Sequence, residues 1–299
     1  MDLGIAHGTY ISNTVGTING VNNGVIHGTA NGVYNEVNSS GLDPNAQAFI
    51  LAAGITNMMQ KRAINNLVKS LKSAGIWSKC NAIYPFVGGN SSAHSFNLIN
   101  TAQYQLTFVN GWTHASTGAT PNGTNAYANT GLNGSTVLTQ SNTHLSFYSR
   151  TNAAAAARIC MGSYNDLTLP NPIFVLALKN ASGNLATTNT NQSAGQLVSV
   201  ANTDSRGFYV SNKTSASIGG LVIDKNGTQV ASNSSAITTN SYPNLNIFIG
   251  ASSLSSGVAF QYDLKECAFA SIGLGLTATE RTDFNTIVQT YQTTLNRNV

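Results

Sequence analysis

From residue 82 to residue 271 the chain alternates short apolar runs with turn residues, and this pattern constrains its fold more than any other feature. Residues 172–178 are apolar throughout, which predicts a strand buried on both faces, while residues 144–150 have the pattern of a half-buried strand. Further strands are predicted at 82–87, 104–109, 196–201, 207–211, 217–223, 245–250 and 267–272.

Turn signals separate these runs. Asn-Gly pairs mark tight turns at Asn122-Gly123, Asn133-Gly134 and Asn226-Gly227. Only 8% of the residues are charged, and the short uncharged polar side chains that replace them favour turns and strand faces over long surface helices. Short strands in this number, with frequent turns between them, predict an all-β fold, a two-layer antiparallel sandwich rather than alternating β-α units.

Two short helices are predicted before the strands. Asp43-Pro44 combines a capping carboxylate with proline at the first helical position, which predicts a helix at about 45–53. A second helix is predicted at about 57–73, with Thr56 as its cap and an apolar stripe that faces the body of the protein.

A third helix closes the chain. Thr277 and Glu280 form a capping box that opens a helix at about 278–294. Because its apolar residues recur at helical spacing along one stripe, we expect this helix to pack on the outside of the sandwich.

The first 38 residues form a separate region with a glycine repeat. On a helix, glycine at every fourth position would allow very close approach of a neighbour. Each interior glycine costs about 1 kcal/mol relative to alanine, so a solitary helix is untenable. Either the segment packs against other copies or a larger assembly, or it is a string of Asn-Gly turns. We expect an ordered anchoring arm that includes Gly16, Gly20, Gly24, Gly28 and Gly32.

The scarcity of charge excludes some partners. The chain has 14 basic and 10 acidic residues, a formal net charge of +4, and this density is far below that of a nucleic-acid-binding protein. No apolar run approaches the ~20 residues of a membrane helix, so we expect neither nucleic-acid binding nor membrane insertion. The N-terminus lacks the pattern of a secretory signal, which favours release by cell lysis; an unrecognised export route or a cytosolic location are the alternatives.

Cysteine and histidine do not form a metal-binding pattern. Cys80, Cys160 and Cys267 are too few and too scattered for a disulfide framework or a zinc site, so we expect small buried side chains. The five histidines lack H-x-x-x-H spacing, and the oxygen ligands near Asp204 or Asp224 are too sparse to predict calcium. We expect no cofactor and no metal.

The carboxylates are also poorly arranged for catalysis. A glycosidase needs two carboxyl groups that face each other across a cleft. Asp263 and Glu266, three residues apart, would lie on opposite faces of a strand, and we expect them to be a solvated charge pair. Nucleophile-elbow, phosphate-loop and dinucleotide motifs are missing, so we expect no enzyme and no catalytic residues.

Aromatic and amide side chains near predicted loops are candidates for sugar binding, because a ring stacks on sugar CH groups while an amide bonds the hydroxyls. Trp112 follows a predicted strand, a position where packing in the core is the more frequent role. The candidate glycan-binding residues are Trp112, His114, Asn122, Asn125 and Tyr127.

The second predicted helix carries a basic face. Lys61, Arg62, Lys69 and Lys72 fall within ~100° of one another at 100° per residue, and residues 44–165 contain no Asp or Glu. This face is a candidate contact for anionic envelope polymers or for an acidic neighbouring subunit. An ordinary solvated helix face is the more frequent explanation of such a pattern.

Seven segments together resemble a known family. They are AINNLV at 63–68, GIWSK at 75–79, AIYPFVGG at 82–89, GWTH at 111–114, PNGTNAY at 121–127, YSRTN at 148–152 and VQTYQTTL at 288–295. In this order they resemble the concanavalin A-like (laminin G-like) jelly-roll modules of tailed-phage structural proteins, particularly fibre and appendage proteins. The resemblance covers about residues 43–299 and transfers no catalytic residues, since the paired-carboxylate strand motif of the glucanase relatives is missing here.

The resemblance implies a jelly roll with flanking helices at residues 39–299, in a structural component of a virion. We expect a head or tail fibre or decoration subunit, assembled in the host cytoplasm, whose jelly roll contacts a host surface glycan. The arm at 1–38 lies outside the matched segments, and we expect it to join copies into a homo-oligomer, a trimer being one candidate, and to bind other virion proteins. The alternative is a carbohydrate-binding module of a non-viral secreted protein.

Deletion of residues 1–35 tests the anchoring role of the arm. We expect the shortened protein to stay folded and monomeric, because the sandwich has its own core, but to be absent from assembled particles. Circular dichroism and particle purification measure the two properties. Normal incorporation of the shortened protein would contradict the anchoring role.

Overall fold

Two β-sheets with a shared apolar core make up most of the protein. The computed structural model describes residues 41–139, 142–153, 158–165, 173–179, 185–189, 197–214, 220–233, 242–255 and 257–299. Most of the regular elements in this part of the chain are strands, with a few helices, as expected for an all-β sandwich. The arm at 1–38 lies outside the described residues, so its anchoring role stays a prediction.

The described residues contain seventeen strands. In chain order they are β1 (Cys80–Tyr84), β2 (Thr107–Val109), β3 (Trp112–Ala115), β4 (Gly118–Pro121), β5 (Tyr127–Asn133), β6 (Thr143–Ser149), β7 (Met161–Tyr164), β8 (Ile173–Ala177), β9 (Leu185–Asn189), β10 (Leu197–Ala201), β11 (Gly207–Lys213), β12 (Leu221–Lys225), β13 (Thr228–Asn233), β14 (Asn246–Ile249), β15 (Ser252–Leu254), β16 (Ala259–Phe260) and β17 (Cys267–Gly273).

These strands form two sheets. The first sheet has the order β13-β12-β11-β6-β17-β4-β3, and β1 also pairs with β17. The second sheet has the order β10-β9-β8-β7-β14-β5-β2, and β15 pairs with both β7 and β16. The described pairs are antiparallel apart from β15 and β7, which run parallel. The core lies between the sheets, where Leu145 and Phe147 of β6 share one buried cluster with Phe174 and Leu176 of β8.

Helices lie before, between and after the strands. Their bounds are α1 (Pro44–Ala52), α2 (Met58–Ser73), α3 (Ser91–Ser95), α4 (Gly134–Val137) and α5 (Ala278–Thr294), with a 3-10 turn at Trp77–Lys79. The cap of α1 is Asp43, whose carboxylate accepts a hydrogen bond from the Asn45 backbone N–H. Thr56 was expected to cap α2, but the cap is Asn57, whose Oδ1 accepts from the Gln60 N–H. None of the described helices is long and apolar enough to cross a bilayer.

Helix α5 covers the outer face of the first sheet. Its Phe284 ring lies 5.2 Å from the ring of Phe208, 5.9 Å from that of Phe269 and 5.9 Å from that of His144. All seven residues of β6 are therefore buried, and the expectation of a half-buried strand at 144–150 is wrong. The strand lies between the apolar core on one side and a helix on the other.

Two predicted strands have different bounds. The strand expected at 82–87 ends at Tyr84, because proline at position 85 has no N–H and Phe86 has a φ of +47°. The strand expected at 104–109 begins only at Thr107, since Tyr104 has a φ of +56° and lies outside extended geometry.

The three Asn-Gly pairs have three different roles. Asn226 and Gly227, with φ of +50° and +79°, form the predicted tight turn between β12 and β13. Asn133 instead caps α4 with its side chain, and Gly134 is the first residue of that helix. Asn122-Gly123 opens the connection from β4 in the first sheet to β5 in the second.

The C-terminal segment is fastened to the sandwich by one buried guanidinium. Arg297 is 1% exposed, and its Nη1 donates to the Phe86 carbonyl at 2.7 Å. Its Nη2 donates to the carbonyls of Pro85 and Ala268 at 2.8 and 2.9 Å, and its Nε donates to Gln292 Oε1 at 2.6 Å. Arg297 therefore donates to buried backbone acceptors of the segment after β1 and of β17.

Replacement of Arg297 by methionine tests this anchor. We expect the free energy of unfolding to fall by roughly 3 kcal/mol or more, because several buried carbonyl groups lose a charged donor at once. Chemical denaturation measures the change. The matched control is Arg206→Met, which removes an exposed pair with Asp204 and should leave the free energy of unfolding nearly unchanged. Equal losses in the two variants would contradict the anchoring role.

Candidate functional site

The predicted glycan-binding residues lie around one corner of the sandwich. The chain crosses there from β2 to β3 through Asn110 and Gly111, and it crosses back from β4 to β5 through residues 122–126, called here the site loop. Asn110 Nδ2 donates to the Asn125 carbonyl at 2.7 Å, which ties the two crossings together.

Asn122 organises the site loop. Its Oδ1 accepts hydrogen bonds from the backbone N–H groups of Thr124, Asn125 and Ala126 at 2.9, 3.1 and 3.1 Å. Its Nδ2 donates to Asn125 Oδ1 at 2.8 Å. Both amides that the sequence nominated for sugar binding thus shape the loop, and both remain exposed at its surface.

Trp112 packs inward. Its ring lies against the apolar core and 5.2 Å from the Phe108 ring, and its Nε1 is buried without a hydrogen-bond partner among the described residues. A Cβ on Gly250 would come within 2.9 Å of the indole, so a glycine is needed there. Trp112 is therefore a packing residue that supports the corner, which agrees with the commoner role of a tryptophan at such a position.

His114 also faces inward and pairs with a second histidine. Its Nδ1 lies 2.9 Å from Nδ1 of His94, and its ring lies 4.6 Å from that of Phe108. Burial lowers the pKa of His94 to about 3, with further lowering by His114 and Arg297, and burial also lowers the pKa of His114. Both rings are therefore neutral at pH 7, and they hold β3 against α3.

Tyr127 lies on the outer face of the second sheet. Its neighbour Ala128 points into the core, so Tyr127 and Asn129 point outward. The Tyr127 ring stacks on Phe248 of β14, with 4.6 Å between centroids and 19° between planes. Phe248 is 4% exposed, whereas Tyr127 is only half-buried, so Phe248 backs a partly accessible ring.

Polar residues neighbour Tyr127 in the sheet and in the chain. Val109 of β2 is the cross-strand partner of Tyr127, and Thr107 is the partner of Asn129, so all four share the outer face. The exposed amides of the site loop follow directly before Tyr127 in the chain. An aromatic ring next to amides and hydroxyls can stack on a sugar ring and bond its hydroxyl groups.

The structure divides the five nominated residues. Trp112 and His114 face the interior, Asn122 and Asn125 build the site loop, and Tyr127 lies on the outer face. Phe248, Asn129 and Thr107 were missed in the sequence analysis. Phe248 comes beside β5 only through strand pairing across more than a hundred residues. The alternation of side chains along β5 was the available signal for Tyr127 and Asn129.

The basic face of α2 is partly used within the protein. Lys72 forms an ion pair with Asp43 at 2.7 Å, donates to Asn45 Oδ1 at 2.6 Å and lies 5.3 Å from the centre of the Trp77 ring. Arg62 and Lys69 are exposed, and Lys61 is half-buried. A contact with an anionic partner at this face stays a prediction.

The expectation of a solvated charge pair at Asp263 and Glu266 is wrong. Asp263 forms a 2.9 Å ion pair with Lys265, and both side chains are 0% exposed. Glu266 forms a 3.0 Å ion pair with Arg150 and is largely covered. The two carboxylates have separate cationic partners because the chain between β16 and β17 turns one inward and the other toward β6. All three cysteines are buried and unpaired, as predicted.

Comparisons with known proteins found similarity only among solved structures. No family model matches the chain, and no curated protein matches it. The chain is similar to domain 4 of a GH43 extracellular arabinanase from Geobacillus stearothermophilus in complex with arabinotriose, at 15% identity over 69% of this chain and 98% of that one, with a TM-score of 0.36.

Two further solved structures are similar at comparable levels. The CBM40 of the Ruminococcus gnavus IT-sialidase shares 14% identity over 47% of this chain and 80% of that one, with a TM-score of 0.34. The binding domain of botulinum neurotoxin DC in complex with SialylT shares 9% identity over 69% of this chain and 52% of that one, with a TM-score of 0.40. The fold described above rests on the strand pairing and burial of this chain itself.

Replacement of Asn122 by alanine tests the organisation of the site loop. Three backbone N–H groups lose their acceptor, so we expect roughly 1–2 kcal/mol of destabilisation and faster amide exchange at residues 123–126. Thermal denaturation and hydrogen exchange measure the two effects. The control is Asn100→Ala, since Asn100 Oδ1 accepts from one such group, that of Ala102. An unchanged exchange rate in the Asn122 variant would contradict the assigned role.

Proposed function

We propose that this protein is a glycan-binding structural protein of a phage virion, a fibre or decoration subunit whose sandwich contacts the host surface. The glycan-binding part of the proposal rests on one observation, the half-buried Tyr127 ring that stacks on Phe248 and follows the exposed amides of the site loop directly in the chain. The binding surface consists of Tyr127, Asn129 and Thr107 with the site loop.

The chemistry of this surface suits weak adhesion to an uncharged sugar. A ring backed by Phe248 is held in place before binding, so little conformational entropy is lost when a sugar stacks on it. The amides of Asn122 and Asn125 are positioned by the hydrogen bonds of the loop. Single contacts of this kind are weak, and many copies on one particle would supply the avidity.

The virion role draws its support from the sequence. The segments at 63–68, 82–89 and 121–127 resemble phage fibre and appendage modules, and the glycine repeat favours an arm that packs against other copies. In this proposal residues 1–38 hold the protein in a homo-oligomer and on other virion proteins. The particle is assembled in the host cytoplasm and released by lysis. The protein itself needs no cofactor and catalyses no reaction in this proposal.

A carbohydrate-binding module of a non-viral secreted protein is the second candidate, and the same observation at Tyr127 favours it. The location of the protein distinguishes the two candidate functions. Electron microscopy of purified particles with antibodies against this chain should label capsid, neck or tail if the virion role is right. Recovery of the protein only in a culture supernatant free of particles would favour the second candidate.

Variants of Tyr127 test the binding surface. We expect Tyr127→Ala to lower glycan affinity about tenfold, because the stacking surface is lost, while Tyr127→Phe retains most of it. A glycan array followed by titration of the full chain with the strongest hit measures the change.

The control is Arg62→Ser on the basic face of α2. This variant should bind as the parent protein does if the sugar lies on Tyr127. Loss of binding in the Arg62 variant together with normal binding in Tyr127→Ala would contradict the proposed surface and would favour the basic face instead.

A further inference from the structure

Strands β3 and β4 form a weakly attached hairpin at the end of the first sheet, called here the edge hairpin (residues 112–121). It joins the rest of the sheet through one residue pair, Ala119 with Cys267. By comparison, β6 and β17 share six pairs in the same sheet. Few ladder hydrogen bonds therefore resist the opening of this hairpin, and other contacts must hold it.

The histidine pair is one of these contacts. His114 of β3 meets His94 of α3 with 2.9 Å between the two Nδ1 atoms. The Phe86 ring meets His94 edge-on at 5.4 Å, and the Phe108 ring meets His114 edge-on at 4.6 Å. His94 is 1% exposed, and its Nε2 has no hydrogen-bond partner among the described residues. The pair thus joins the hairpin to the body through a contact lined by aromatic rings.

The charges around this contact oppose a further positive charge. On the C-terminal segment, the positive charge of Arg297 lowers the pKa of His94. Arg297 Nη1 also donates a long 3.5 Å hydrogen bond to the Ser116 carbonyl of the hairpin. On the segment before β17, Glu266 approaches Gly118, but its carboxylate is held by Arg150 at 3.0 Å. Strand β2 contributes Phe108, and α3 contributes only His94 itself. A proton on either histidine would therefore add charge near a buried guanidinium.

Protonation opposes this contact in two ways. Burial disfavours a charge on His94, and the hydrogen bond between the two Nδ1 atoms, which needs one ring as donor and the other as acceptor, survives a first proton but not a second, since two imidazolium rings have only donors. In the open hairpin both histidines would titrate near a pKa of about 6.5. In the closed hairpin burial lowers the pKa of His94 to about 3. The closed form is thus favoured fully above pH 6.5 and loses stability as the pH falls toward 3.

We propose that the edge hairpin is an acid-released flap, fastened by the contact between His94 and His114, and that its opening displaces the site loop. The site loop follows β4 directly, so movement of the hairpin moves Asn122 and its hydrogen bonds. Its effect on sugar binding rests on the proposed function; the opening itself does not.

Hydrogen exchange of the full chain at several pH values between 7.5 and 4.5 tests the flap, with rates corrected for the intrinsic pH dependence of exchange. We expect residues 112–121 to be less protected than residues 143–149 at every pH, and their protection to fall about tenfold or more per pH unit well below 6.5, since at least one proton, that of His94, is taken up on opening. Equal protection in the two segments, or a flat profile for the hairpin, would overturn the proposal.

Variants assign the effect to the histidine pair. In the double variant His94→Gln/His114→Gln the neutral amides do not titrate, and the pH dependence of hairpin exchange should disappear. His144→Asn removes a different buried histidine, in β6, and should leave that dependence in place. Persistence of the dependence in the double variant would overturn the proposal. If the double variant does not fold, His114→Gln alone is used, for which the dependence should weaken.

Glycan titration at pH 7.5 and 5 is a separate measurement. Weaker binding at pH 5 together with faster hairpin exchange supports the coupling to the site loop, while acid opening with unchanged affinity overturns that coupling. If no glycan binds at either pH, the proposed function fails, and hydrogen exchange still decides whether the flap exists.

Discussion

The docking of α5 on the first sheet is the interaction on which the rest of this structure depends. Phe284 supplies the apolar contact between helix and sheet. Arg281 fixes where the helix lies on the sheet, because its Nε donates to Asp224 Oδ2 at 2.5 Å and its Nη2 donates to Gln229 Oε1 at 3.1 Å. Burial raises the pKa of Asp224 although Arg281 lies beside it. The start of the helix is held by the ion pair between Glu280 and Lys79 at 2.6 Å. Together these contacts bury the central strands β6, β11 and β17 of the first sheet on both faces.

Burial of this sheet removes several polar side chains from water, so they must form hydrogen bonds inside the protein. His144 Nε2 lies 2.9 Å from Ser271 Oγ, which lies 2.6 Å from Ser146 Oγ, and His144 Nδ1 lies 2.6 Å from the Leu274 carbonyl. This series of hydrogen bonds links β6 to β17. It disfavours any shift of register between them, since a shift would leave buried polar groups unpaired. The centre of the first sheet is thus a fixed support, and the outer face of the second sheet around Tyr127 remains available for contact with a ligand.

Local chemistry explains which features the sequence predicts well. Asp43-Pro44 and the capping box of Thr277 and Glu280 involve residues close in the chain, so α1 and α5 could be placed from the sequence. The apolar run at 172–178 likewise contains the buried strand β8. By contrast, β3, β4 and β5 are rich in threonine, asparagine and glycine, and their side chains resemble those of loops. Pairing with distant strands, rather than intrinsic preference, makes them strands.

The candidate site was harder to predict because it depends on which way each side chain points. Trp112 and Tyr127 are both candidates in the sequence, where core packing was the more frequent role for Trp112, and the structure packs Trp112 against the core and places Tyr127 on an outer face. Similarly, Asp263 and Glu266 look exposed until the fold brings Lys265 and Arg150 to them. The pairing of His94 with His114, twenty residues apart, follows from the contact of α3 with β3 and from no motif.

Chemical-shift mapping on the isotopically labelled full chain tests the central claim most directly. Addition of oligosaccharides from the host surface should shift the amide signals of β2, the site loop and the first half of β5, while those of α2 stay unchanged. Shifts confined to α2, or none at saturating sugar, would contradict the assignment of glycan binding to the outer face of the second sheet.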